Sequence, residues 1–323
     1  MPIPDAAPSA NPSDTSRSRA ELRWEGFWRL ADPKISITSA VCMLIGGSIA
    51  ATLTPLSWLW LGVLGLALFC MEVAKNAWGD VIDFDSGNDL AVAAEDRTAF
   101  SGGKRVLVDG LLSHRETWTI AGVFTAVGLL GGALIVFFRE PDVIWIGLFG
   151  LVLGWSYHGP PLKLAYRGFG ELAVLICYGP VLVLSTYQIQ TGSLSWPAFW
   201  LSLPLGLLIT AFLWVNEFPD YHADLSAAKR NLVARLGRQR ASRLLPVIYA
   251  LAFSLLAALV LSGYSAWILL GFVGLPTALY AVVEVWRAPQ TFYRHKPVQP
   301  AALLSFVLYS LGVSCGWLLG YAG

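Results

Sequence analysis

The 323 residues are 56% hydrophobic and only 13% charged, with a mean hydropathy of +0.60. That is too apolar for a water-soluble domain of this length, and the apolar residues fall in long runs. A net charge of +1 carries no argument for a nucleic-acid partner, and none is expected.

Residues 1–23 are rich in Pro, Ser, Ala and Asp and contain no apolar stretch. A disordered tail is expected there, not a cleaved leader. Apolar runs follow at about 35–53, 57–83, 117–137, 143–158, 169–188, 197–217, 243–262, 265–287 and 301–321. A run of about 20 such residues, rising 1.5 Å each, crosses a bilayer core of roughly 30 Å. Lipid leaves backbone polar groups unsatisfied, so only helices or closed barrels span it. These runs are too long and continuous for barrel strands. The expected fold is an all-α membrane bundle of nine transmembrane helices around a central cavity, with residues 24–323 as one domain.

The loops alternate in character. TLTPLS, QIQTGSLS and SGYS are short and carry no Lys or Arg. The other loops are longer and basic. Of the 22 Lys and Arg, all but Arg139 fall in the N-terminal segment or on the basic-loop side. The positive-inside rule then places the N-terminus and the long loops in the cytoplasm and the C-terminus outside. An odd number of spans is what this segregation requires. The expected location is a bacterial inner membrane, with the functional site facing the cytoplasm. Cys42, Cys70, Cys177 and Cys315 all lie in apolar runs without metal-ligand spacing, and are read as small buried hydrophobes.

Two polar clusters interrupt this pattern at cytoplasmic ends of spans: KNAWGDVIDFDSGND (75–89) and NEFPDYHAD (216–224). On a helix, residues three or four apart share a face. Asn76, Asp80 and Asp83 form one stripe, and Asn216, Asp220 and Asp224 another. Ionisable residues in spans are costly and default to a functional role. Oxygen-only stripes suit Mg²⁺, which binds through one or two carboxylates plus substrate phosphates. Lys104, Arg105, Lys163, Arg167, Lys229 and Arg230 would complete an anion site. Solvated helix ends are the alternative; that reading suits Asp85 but not two matched stripes. Glu72 and Glu284 lie deeper and are expected to pair within the bundle. A short echo, KRVLV (104–108) and KRNLV (229–233), follows the two clusters. It fits two half-structures bringing an acidic helix end and a basic loop to one cavity. A cation-coupled transporter is a competing class, but its acids would sit near the midplane, not beside basic loops.

These residues resemble the UbiA superfamily of intramembrane prenyltransferases, most closely the branch that prenylates 1,4-dihydroxy-2-naphthoate in menaquinone or phylloquinone synthesis. The resemblance covers nearly all of the chain after the tail. Gly79-Asp80-Val81-Ile82-Asp83 with Ser86-Gly87-Asn88-Asp89 is similar to the first family motif, Asn-Asp-x-x-Asp and a later Gly-x-Asp. Asn216, Asp220 and Asp224, then Lys229-Arg230 and Leu236-Gly237, are similar to the second. YHGPPLKLAYRGFGEL (157–172) and GGKRVLVDGLLS (102–113) resemble family loops. Gly79 departs from the first motif's Asn, and Glu217 and Pro219 depart from the second motif's Asn and Arg. The resemblance implies Mg²⁺ held by Asp80, Asp83, Asp89, Asn216, Asp220 and Asp224, and a polyprenyl diphosphate transferred to an aromatic acceptor. It implies catalytic roles for Asp80, Asp83, Asp220 and Asp224, and substrate contacts from Asn76, Tyr157 and the basic residues above. His158 is read as a packing residue. Other acceptors of the same fold, such as 4-hydroxybenzoate, a chlorophyllide, a homogentisate or a sugar phosphate, stay open.

Overall fold

The computed structural model describes residues 17–322 and, among them, contains helices and no strand. α1 (Arg19–Ala31) opens with a capping box in which Ser18 and Glu21 satisfy each other's backbone N–H groups. The helix starts inside the tail expected over 1–23, so Arg19 to Arg23 are ordered here; residues 1–16 lie outside the described residues. Leu22 and Leu30 of α1 pack on Trp78 and Val81, while Trp24 and Trp28 stay exposed. Asp32, with φ 40°, turns the chain into α2 (Pro33–Ala51).

α3 (Trp58–Asp85) is followed by the short α4 (Asn88–Ala91), a loop, and α5 (His114–Phe138), opened by a second capping box from Ser113 and Glu116. Then come α6 (Val143–His158), α7 (Leu164–Arg167) and a broken span. That span consists of α8 (Gly170–Ile176), a wider turn at Cys177–Val181 and α9 (Leu182–Thr191). The break has a local cause. Gly179 leaves helical geometry (φ −83°, ψ −105°) beside Pro180, which has no N–H to give. α10 (Trp196–Ser226), α11 (Leu232–Leu236) and α12 (Arg238–Leu261) follow. A tighter helical stretch, Ala266–Gly274, runs into α13 (Leu275–Arg287); α14 (Phe292–His295) and α15 (Val298–Ala322) close the fold.

Among the described residues, eight helical segments are long and apolar enough to cross a membrane. They match eight of the nine expected runs. The ninth, α6, has 16 residues and falls short of the roughly 20 that a span needs.

α10 is the most deeply buried span and α5 the least. Leu201, Leu205 and Leu208 of α10 pack with Ile45 and Ile49 of α2, Leu245 and Phe253 of α12, and Phe306 and Tyr309 of α15. In lipid such packing is held by close van der Waals contact, since tails are as apolar as Leu. α3 and α5 pair into a second layer, against which α6 leans sparsely. Between α2, α9 and α10 on one side and α3, α5 and α6 on the other lies a cavity of about 1380 Å³. Among the described residues none on its wall lies beyond Lys229, so α12–α15 buttress α10 from behind.

At one end of the bundle Arg139 donates to the carbonyls of Ile189 and Gln190, both at 2.8 Å. Gln190 Oε1 accepts from Ser57 N there at 2.7 Å. The acidic tips of α3 and α10 and the basic loops gather at the other end. Lys75 is the exception among the cations: it lies within α3, more than two turns before its end, and lines the cavity. The cysteines are free, but only Cys42 and Cys70 are buried; Cys177 lines the cavity and Cys315 faces outward. The expectation of four buried thiols fails because a broken helix turns Cys177 inward to open space, and α15 offers one face to the outside.

Candidate active site

The two acidic tips open onto the same cavity. Asn76, Asp80 and Asp83 of α3, Asp89 of α4, and Asn216 and Asp220 of α10 all line it. The loop after α4 builds the third side. Gly103 (φ +74°) passes so close to Asp89 that a Cβ there would collide with its carboxylate. Arg105 Nη1 donates to the Asp89 carbonyl at 2.9 Å, and Leu107 N donates to Asp80 Oδ2 at 3.3 Å. α7 brings Tyr166, whose hydroxyl donates to Asp83 Oδ1 at 2.6 Å.

Lys229 joins the two tips. Its Nζ lies 3.1 Å from Asp83 Oδ2 and 3.8 Å from Asp224 Oδ1. Burial alone would depress this ammonium, but the Asp83 and Asp224 charges hold it well above the ordinary lysine range. Burial pushes Asp89 up to about 8, and the charges of Asp83 and Asp80 add to the shift. Burial also raises the Tyr166 phenol, with Asp83 contributing.

Among the described residues, several buried acceptors have no hydrogen-bond partner: Asp80 Oδ1, Asp89 Oδ2, Asn216 Oδ1, Asp220 Oδ1 and Asp224 Oδ1. Leaving a buried acceptor unpaired costs about 1–3 kcal/mol, more when charged. Such a set of hard oxygens around one cavity end fits a divalent cation. Among the described residues no three His, Cys, Asp or Glu are drawn tightly enough to cage an ion unaided.

The expected residues divide. Lys104, Arg105, Tyr157 and Lys229 line the cavity. Lys104, however, is ion-paired to Asp32, which also meets Lys34 at 3.3 Å, so it ties the α1–α2 turn to the loop. Asn76 Nδ2 donates to the Leu30 carbonyl at 2.7 Å. Asp224, 1% exposed, stands behind the wall and accepts from Asn231 Nδ2 at 2.7 Å. Lys163, Arg167 and Arg230 are also off the wall. Lys163 lies over the Tyr166 ring at 5.4 Å, Arg167 Nη2 donates to the Pro161 carbonyl at 3.1 Å, and Arg230 is exposed. Glu217 and Pro219 also lie off the wall. Asp85 is exposed beside His114, and Glu284 pairs with Arg287 at 3.7 Å.

Two cavity neighbours carry more than the sequence signalled. Tyr166 sits in the loop singled out above, yet nothing in its spacing points at Asp83. His158 covers Gly79: a Cβ on Gly79 would lie 3.1 Å from its Cε1 and Nδ1. Its Nε2 is 3.8 Å from Asp83 Oδ2, its ring meets Tyr157 edge-on at 4.7 Å, and its Nδ1 has no partner. The side chain absent at Gly79 is thus replaced across the helix interface by an imidazole.

Away from this end the walls are apolar, running through Leu64 and Leu68 of α3, Leu129 and Val136 of α5, and Ile144 and Leu148 of α6. A membrane-length helical bundle around a large cavity, charged at one end and apolar along the rest, defines a helical membrane protein with an amphipathic cavity. The chain belongs to the UbiA prenyltransferase family, whose model matches residues 39–311; it is a prenyltransferase. It is 27% identical to a 1,4-dihydroxy-2-naphthoate octaprenyltransferase of Bacillus subtilis, over 79% of this chain and 80% of that one. A 2-carboxy-1,4-naphthoquinone phytyltransferase of Synechocystis is 28% identical over 90% and 92% of the two chains. The 1,4-dihydroxy-2-naphthoate octaprenyltransferase of Mycobacterium tuberculosis is 30% identical over 86% and 92%. The fold is similar to a UbiA homolog from Archaeoglobus fulgidus bound to GPP and Mg²⁺, with a TM-score of 0.60 and 16% identity, covering 90% of this chain and 99% of that one.

Proposed function

We propose that the protein transfers a polyprenyl group from its diphosphate to 1,4-dihydroxy-2-naphthoate, a step of menaquinone or phylloquinone synthesis. The observation that carries this reading is the meeting of two acidic helix tips with Lys229 at the head of a long apolar cavity. The names of the similar naphthoate enzymes support the choice of acceptor.

Asp80, Asp83, Asp89, Asn216 and Asp220 would hold Mg²⁺ with their unpaired oxygens, and Asp224 would assist from behind the wall. When bound, Mg²⁺ supplies positive charge against the charge growing on the departing diphosphate. The chain's own groups do the rest. Lys229 and Arg105 attract the diphosphate and stabilise it as it leaves. Tyr166 holds the Asp83 carboxylate in one orientation through its hydroxyl. The apolar walls take the prenyl tail and keep water from the allylic cation. The allylic C–O bond breaks with its electron pair leaving on the diphosphate. A ring carbon of the acceptor then attacks the cation, and the ring carboxyl departs as CO₂, returning its bonding pair to the ring. The ring faces of Trp78, Trp155 and Tyr157, all on the wall, are suited to steadying the cation.

The topology that goes with this reading has nine spans, α6 crossing a locally thinned bilayer as the shortest. The N-terminus is cytoplasmic, the site faces the cytosol, and the protein is integral to a bacterial inner membrane. The test is direct. Purified protein in nanodiscs, given a polyprenyl diphosphate, Mg²⁺ and 1,4-dihydroxy-2-naphthoate, should release diphosphate and CO₂ in equal amounts with prenylated naphthalenediol. Diphosphate release without CO₂ would reassign the acceptor; no release at all would refute the reading.

A further inference from the structure

Between the acidic end of the cavity and its apolar walls lies a pair of charges that the donor does not account for. Glu72 and Lys75, three residues apart on α3, share one face and both line the cavity. They sit about 12 Å and about 7.5 Å along the helix axis from Asp80. One turn further on the same stripe the wall is already apolar, at Met71 and Leu68.

Neither charge is ion-paired among the described residues. Lys75 has no hydrogen bond or ion pair with any other described residue. Glu72 Oε1 accepts from Ser39, and Oε2, shielded from solvent, has no partner. A cation and a carboxylate left unmatched inside a membrane bundle are costly, and default to a functional role. The diphosphate belongs with Lys229, Arg105 and the acids, and the prenyl tail with the apolar walls. Neither part of the donor calls for a charge pair of opposite signs between the two. The second substrate must reach the allylic carbon, and that carbon lies where the diphosphate meets the tail.

Resting on the functional reading above, we infer that Glu72 and Lys75 form the acceptor subsite, built for an arene that carries both a hydroxyl and a carboxylate. Lys75 pairs with the carboxylate. Glu72 Oε2 accepts the hydroxyl proton's hydrogen bond, which draws electron density into the ring and orients its carbon toward the donor. A charge-assisted contact of this kind is worth about tenfold or more in affinity.

The experiment compares wild type with Lys75→Met and Glu72→Gln, both close in size to the originals, in nanodiscs. Lys75→Met should raise KM for 1,4-dihydroxy-2-naphthoate by about tenfold or more. The Kd for geranyl diphosphate with Mg²⁺ should not change. The inhibition constant of 1,4-dihydroxynaphthalene, which lacks the carboxylate, should be the same in Lys75→Met as in wild type. Glu72→Gln should weaken both arenes. Unchanged KM in both variants, an equal loss for both arenes in Lys75→Met, or a weakened donor in either variant overturns the inference while wild-type transfer stands. Wild-type protein that binds geranyl diphosphate but transfers to no hydroxyarene-carboxylate overturns the functional reading, and this inference with it.

Discussion

Lys229 Nζ lies 3.1 Å from Asp83 Oδ2, although 146 positions separate the two in the chain. One ammonium therefore joins the tips of α3 and α10 and sets the charge balance of the cavity head. Lys229→Met should cut kcat by about 10²–10³, the cost of losing one preorganised donor to a developing anion. Steady-state kinetics with varied donor checks this. Activity within a fewfold of wild type would remove Lys229 from the leaving-group site.

Asp80 and Asp220 each present an unpaired oxygen to the cavity from opposite helices. Asp80→Asn and Asp220→Asn keep shape and lose charge. Each should abolish Mg²⁺-dependent diphosphate release while the protein still inserts and elutes as wild type. Full turnover in either variant would exclude that residue as a metal ligand.

Gly103 permits the loop to touch Asp89. At φ +74° a Cβ costs about 1–2 kcal/mol in backbone strain, and here it would also strike the Asp89 carboxylate. Gly103→Ala should lower Tm and weaken donor binding together. A variant with lower Tm but wild-type donor affinity would show that Asp89 does not serve the donor.

Asp96 fastens the α4–α5 loop to α14, accepting from the Tyr293 hydroxyl at 2.8 Å and from Arg294 Nη2 at 2.6 Å. Burial pushes its carboxyl upward, but Arg294 and Tyr293 outweigh this and hold it below the usual range. A carboxylate with a lowered folded pKa adds stability above its unfolded value of about 3.9 and loses it as pH falls through the folded value. Asp96→Asn should therefore lower Tm at neutral pH, with the two curves converging as pH falls below that unfolded value. A constant gap across that range would contradict the ion pair's role.

Which polar residues of the candidate site share a face could be read in advance, because helical spacing is local. Asp80 and Asp83, or Asn216 and Asp220, share a face whatever surrounds them. The tail boundary failed for a similarly local reason, since the Ser18–Glu21 capping box starts α1 within it. The basic residues were harder. Lys163, Arg167 and Arg230 look like Lys229 in sequence, but only Lys229 follows a turn that aims it inward, just after Ala228 at φ 55°. The KRVLV and KRNLV echo likewise gives unlike contacts, Lys104 meeting Asp32 while Lys229 meets Asp83. Lys75, counted with the cytoplasmic charges, proved to lie inside the cavity.

The sequence by itself determined the membrane class, the apolar runs and the gathering of Lys and Arg in alternate loops. Each of these follows from the length of an apolar stretch or from a loop's composition, without reference to any distant residue. Only the tertiary structure decided that Tyr166 orients Asp83, that His158 covers Gly79, and that Asp224 backs the wall. It also decided that Lys75 and Glu72 line the cavity. Those outcomes depend on how helices far apart in the chain pack and rotate against one another, and no local pattern encodes that rotation.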